Sequence, residues 1–340
     1  MLIYTASSDS GIHVAHFEVE TGMLSKQRVA AEGKCFFLAY HPTKRVLYSL
    51  NEEDAKVLAF TIEADGSLTP INTVNSQGAV PCHLAVDPHG RFLAVSNYNG
   101  GVALFPLRED GGLEEASSVF QPEGSGVDAK RQDKPHPHGV TFAPGHDVLH
   151  VADLGTDMIW ALDIADSKLQ ENKSLHVKTA PGAGPRHFAF SPSGNIAIAV
   201  NELDNTLAVF SYDKKTGTLQ NRRDYTMLPA DFNGTTHAAE IAFHPSGKAC
   251  YATNRGQHSV VTYSVNEGAL HSPEWLMPDG LADPQHALCD PSGKWLAVAW
   301  RTADEVRFYP IDPQTGHLGK TDITLKVSKP MCAIFVPSAK

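Results

Sequence analysis

Cysteine is scarce: five residues in 340, Cys35, Cys82, Cys250, Cys289 and Cys332, an odd number with no Cys-X-X-Cys pair. That excludes a disulfide framework or a paired-cysteine zinc site, and most of the five sit in apolar runs, where a thiol serves as a small buried hydrophobe. No run reaches the ~18 apolar residues of a membrane span. The first residues, Met-Leu-Ile-Tyr-Thr-Ala-Ser, lack the basic stretch of a leader, so a cytoplasmic protein without membrane attachment is expected. Charged residues are only 19% of the chain and tilt acidic, to a net −10. General nucleic-acid binding needs the opposite sign, although a cleft can hold a local arginine cluster inside an acidic protein. Phosphate-binding loops, dinucleotide glycine patterns, HExxH and GxSxG are all missing, so no cofactor is expected.

What is present is a repeat. Pro/Gly turns recur as His41-Pro42, Asp87-Pro88-His89-Gly90, Ala143-Pro144-Gly145, Ser191-Pro192-Ser193-Gly194, His244-Pro245-Ser246-Gly247, Asp290-Pro291-Ser292-Gly293 and Val336-Pro337-Ser338, with prolines 46 to 56 residues apart. That period is the length of a propeller blade. Each unit carries a short strand such as His187–Phe190, the turn, a second strand Ile196–Val200, a polar loop 201–205 and a third strand Thr206–Phe210. A glycine-leucine turn and a polar outer strand complete it. The expected fold is all-β: a seven-bladed β-propeller of four-stranded antiparallel blades, one domain over residues 1–340. Leu2–Phe17 reads as the second and third strands of a blade whose innermost strand is Cys332–Pro337, so pairing of the two ends closes the ring and removes its open edges.

Alternating connections sort residues onto two faces. The segments leading into innermost strands share a face with the loops between second and third strands. The first class brings His136, His138, Arg186, His187 and Glu240 there. The second brings Asn51-Glu52, Asn97-Tyr98, Asp153, Asn201-Glu202, Asn254-Arg255 and Trp300-Arg301. The other face receives Pro, Gly, Ser, Lys and Asp, ordinary turn chemistry, and His41 and His244 there read as packing residues. Ionisable groups converging on a narrowing channel point to a small-ligand site. Glu202, Glu240, Asp153 and Asn201 offer oxygen atoms that suit a hard cation, but two arginines in the same mouth would repel one, and a metal-free site is expected.

The whole chain resembles the seven-bladed-propeller lactonase family, with its 6-phosphogluconolactonase and carboxymuconate-cyclising types. The resemblance rests on Asn97-Tyr98-Asn99-Gly100-Gly101, Pro135-His136-Pro137-His138, Gly184-Pro185-Arg186-His187-Phe188-Ala189-Phe190, Val200-Asn201-Glu202-Leu203, Ala239-Glu240-Ile241 and Asn254-Arg255-Gly256. It implies a catalytic set of His138, Arg186, Glu202 and Arg255. Around that set His136, His187, Asn201, Glu240, Asn254, Arg301, His286 and Tyr98 are expected to bind substrate. Pro284-Gln285-His286 departs from the family's Pro-Arg, and Arg301 is placed to substitute. The implied reaction is hydrolysis of an anionic sugar-acid lactone, 6-phosphogluconolactone, by a monomer or weak homodimer. In it Glu202 activates water, the arginines hold the anion and the oxyanion, and His138 donates or relays a proton. The alternatives are a carboxymuconate-type lactonising cycloisomerase and a non-catalytic interaction platform.

Overall fold

The computed structural model describes residues 1–338. The fifth blade shows why this sequence forms sheets. Its strands Pro185–Phe190, Ile196–Asn201, Thr206–Asp213 and Thr218–Thr226 pair in chain order. The second strand is covered on both faces by neighbouring blades, so every residue of Ile196–Asn201 is buried. It therefore reads as a continuous apolar run instead of an alternation. The outer strand faces solvent and reads polar. Between the first two strands the Ser191–Gly194 turn closes with a 2.7 Å bond from the Gly194 N–H to the Ser191 carbonyl, and Gly194 takes φ +61°. That left-handed position explains the glycine that ends the turn signature.

Seven such sheets form the ring, so the chain is a seven-bladed β-propeller. Six have four strands. The sheet headed by Pro137–Phe142 adds a fifth short strand, Val177–Lys178, which the repeat did not predict. Two single-turn 3₁₀ segments, Lys173–Leu175 and Arg301–Ala303, interrupt the strands. Pro330–Val336 pairs antiparallel with Leu2–Ser7, Tyr4 opposite Ile334, and closes the ring as expected. Seven buried clusters fill the seven gaps between adjacent blades. His41 and His244 are packing residues: the His41 ring lies where a side chain on Gly90 of the next blade would stand, and His244 bonds Ser246 and the Gly293 carbonyl. Among the described residues no helix is long and apolar enough to cross a membrane.

One irregularity recurs. In five innermost strands the register with the second strand slips immediately after a proline: Pro81, Pro137, Pro185, Pro284 and Pro330. The residue after each, Cys82, His138, Arg186, Gln285 or Met331, has no partner in the ladder. Proline suits this place because it lacks the N–H a regular ladder would use. A bulge also turns the extra side chain out of the pleat. Here it turns five side chains into the channel mouth.

Candidate active site

Those five residues line a cavity of about 360 Å³. Four more of its walls, Glu52, Glu202, Arg255 and Arg301, each follow directly on a second strand, and Tyr98 lies near the end of another, Phe92–Asn99. Phe36, Val80 and Arg131 complete the lining. Val80 holds φ +59°, an uncommon conformation for a β-branched residue. Two recurring backbone positions, each used in some of the blades, thus build most of the site, on the face the loop alternation indicated. A neighbouring hollow of about 400 Å³ shares Phe36, Glu52 and Val80 but contains no arginine. The arginines gather in the smaller cavity.

Glu202 sits at its centre, 5% exposed, with both carboxylate oxygens occupied. Oε1 meets Arg131 Nη2 at 2.6 Å; Oε2 meets Arg255 Nη2 at 2.7 Å and Arg186 Nε at 3.3 Å. Burial alone would raise the carboxyl, but Arg255, Arg186 and Arg131 outweigh it and hold Glu202 well below the usual range. Arg186 Nη1 donates to the Ala239 carbonyl at 2.8 Å, and Arg255 donates to the His237 and Ala238 carbonyls. Burial, with Arg255 alongside, lowers Arg186 to about 10, which leaves it a cation at neutral pH. His138 is different. Burial, then Arg186 and His187, keep its pKa far below 6.5, so it is a neutral imidazole at neutral pH. A neutral imidazole can hydrogen-bond or relay a proton. Burial raises Glu52 against a weaker pull from Arg301. Four guanidiniums face two carboxylates in this wall, inside a protein of net charge −10.

The structure separates the expected substrate contacts by depth. Tyr98 and Arg301 line the cavity, the latter tethered to Asp283 at 3.4 Å. His187, His286 and Glu240 do not: each follows a bulged residue and falls one layer deeper, where they occupy one another. Glu240 meets His187 Nδ1 at 3.0 Å and His286 Nε2 at 3.6 Å, and the His83 ring packs on His187 at 4.6 Å. Arg186 Nη1 meets both ring nitrogens of His187, Nε2 at 3.1 Å and Nδ1 at 3.4 Å. A carboxylate can only accept, so the Nδ1 that faces both Glu240 oxygens at 3.0 and 3.1 Å is the donor. This layer holds Arg186 from below. His136 is spent on the Tyr98 carbonyl, 3.0 Å away, with its ring stacked on Tyr98. Asn201 and Asn254 are fully buried at the ends of second strands and donate to Thr206 and the Met227 carbonyl. None of the six lines the cavity. The strand-end position of Asn201 and Asn254 carries Asn51, Asn97 and Asp153 in other blades, so those two serve the repeat. Asp153 is committed to the His136 and Gly155 amides and the Trp160 indole. Among the described residues no three His, Cys, Asp or Glu side chains gather as a metal site would require.

Arg131 was not foreseen. It comes from the long segment between Ser118–Phe120 and Pro137–Phe142, inside the 56-residue interval that is the widest of the repeat. That excess length was the only available signal. Cys82 and Met331 were equally unforeseen, although the recurring proline ahead of each marked them.

A seven-bladed ring with an arginine-rich mouth over a buried glutamate defines the class of propeller, and comparison with known proteins gives the family. A family model described as "Lactonase, 7-bladed beta-propeller" matches residues 2–335, and the chain belongs to that family. It is 31% identical to a 6-phosphogluconolactonase of Bacillus subtilis over 98% of this chain and 96% of that one. To a 6-phosphogluconolactonase of Formosa agariphila it is 32% identical, over 94% and 93%. The structure of a periplasmic gluconolactonase from Pseudomonas aeruginosa superposes with a TM-score of 0.93 at 28% identity, covering 100% of both chains.

Proposed function

We propose that this protein hydrolyses the lactone ring of an anionic sugar acid, 6-phosphogluconolactone being the substrate its relatives indicate. The observation that carries the reading is the set of arginines around a single buried carboxylate in a cavity of sugar size. A neutral polyol would gain little from four guanidiniums, whereas phosphate and carboxylate take them up through paired charge-assisted bonds. In the proposed reaction water adds to the lactone carbonyl and gives its proton to Glu202. The carbonyl electrons move onto oxygen, where Arg186 and Arg255 stabilise them. When they return, the ring C–O bond breaks, and the ring oxygen recovers the proton from Glu202, directly or through His138. The product is the open hydroxy acid, and no redox partner enters the balance.

Five free, buried cysteines support a reducing, cytoplasmic setting, and a ring closed by its own ends supports a monomer or weak homodimer, which light scattering across concentrations would decide. The function is tested by following freshly made 6-phosphogluconolactone by phosphorus and carbon NMR with and without protein. Open-chain acid should form faster than the spontaneous rate. No acceleration, or isomerisation of an added carboxymuconate instead, would reject hydrolysis.

A further inference from the structure

Both oxygens of Glu202 are paired with guanidiniums in the free protein, and each such pairing makes a carboxylate a weaker base toward water. The three arginines that cover it are not equally fixed. Arg186 is buried, bonded to the Ala239 carbonyl and braced by His187 beneath. Arg255 holds two backbone carbonyls of the segment leading into Ala238–Phe243. Arg131 stands on a loop with its side chain 35% exposed. Among the described residues Glu202 Oε1 is its one carboxylate partner, with Tyr98 beside it. Its backbone is nevertheless anchored, through Asp128 and the fully buried Gln132, so the side chain can swing while the loop stays. Arg131 also lines the cavity, within reach of whatever anion enters.

We propose that Arg131 is an exchangeable counter-ion: it caps Glu202 Oε1 in the free protein and transfers to the anionic group of the substrate, uncovering that oxygen for water. The exchange conserves charge pairing. Arg131 trades one oxyanion for another, and Glu202 keeps Arg186 and Arg255 on Oε2. The substrate's phosphate or carboxylate then contributes to turnover and not only to binding, because its interaction energy releases the base. An uncharged lactone offers Arg131 no replacement partner and meets a capped carboxylate.

The inference rests on the lactonase reading above, and the test keeps the two apart. Wild type, Arg131→Gln and Arg131→Lys are compared on 6-phosphogluconolactone and glucono-δ-lactone, with spontaneous opening subtracted. Thermal melts establish that the variants fold. Arg131→Gln should lose about ten- to a hundredfold in kcat/KM on the phosphorylated lactone, the weight of one charge-assisted contact. On the neutral lactone its kcat should rise above wild type. With one cation gone, Glu202 titrates at higher pH, so the acid limb of that activity should also move upward. Arg131→Lys should keep part of the preference for phosphate. An Arg131→Gln protein that loses equally on both substrates has lost a structural support, and one whose neutral turnover is unchanged has lost a clamp; either overturns the exchange. Wild type inert on both lactones would instead reject the hydrolase reading itself.

Discussion

In the proposed reaction Glu202 does two jobs through one side chain, and its substitution should show both. Glu202→Gln removes the proposed base, which general acid–base catalysis values at ~10²–10⁴ in rate. It also leaves buried Arg186 without its carboxylate, and breaking a buried pair from one side costs ~3–5 kcal/mol. Activity assays and urea melts should therefore fall together. Retained turnover would take Glu202 out of catalysis, and unchanged stability would contradict the buried network. His150 makes the opposite kind of prediction. Both its ring nitrogens are buried without partners, between Phe188 and Phe190, and burial pushes its pKa down to about 3. The unfolded chain takes up that proton near 6.5, so stability is present above 6.5 and lost as pH falls from there toward 3, by about 1.4 kcal/mol per pH unit. His150→Leu should thus match or exceed wild type at pH 7.5, and its advantage should grow by about 1 kcal/mol from pH 6.5 to 5.5, where the unfolded histidine is only partly protonated at the upper end. Parallel pH dependence in the two proteins would refute the assignment.

At the scale of the strand, the last one carries the ring. Ile334, Phe335 and Val336 on Pro330–Val336 enter the two cores flanking the first strand. Each buried side chain of this size is worth ~1.5–3 kcal/mol, so together they approach the ~5–15 kcal/mol that keeps a protein folded. A chain ending at Lys329 should lose its cooperative thermal transition near the wild-type temperature; an unshifted melt would disprove closure by the two ends. This strand was legible in the sequence, as were the blades and the face of the site, because Pro/Gly turns and apolar runs are local signals. Depth was not legible. Arg186 and His187 are adjacent in sequence, but the bulge after Pro185 sends the first into the cavity and the second beneath it, and likewise for Gln285 and His286. The bulge is a property of two paired strands and cannot be seen in one. Arg131 escaped for a related reason: its partner Glu202 lies 71 residues away, in the next blade.

Across the whole molecule, a protein of net −10 places the four arginines of its cavity, Arg131, Arg186, Arg255 and Arg301, where the blades differ from one another, and repeats its asparagines where they are alike. The ring supplies the scaffold and the departures from its symmetry supply the chemistry. Exposed parts of this positive field are screened over ~8 Å at physiological ionic strength. The KM of a charged lactone should therefore rise with salt while that of a neutral one stays level, and equal salt dependence would argue that the arginines do not face substrate. The most direct test of the central claim is the ratio of kcat/KM for 6-phosphogluconolactone to that for glucono-δ-lactone in the wild-type protein, each corrected for spontaneous hydrolysis. A site built around guanidiniums predicts a ratio of at least about ten in favour of the phosphorylated lactone, the smallest return from one charge-assisted contact. A ratio of one would contradict it and return Arg186 and Arg255 to a purely structural role.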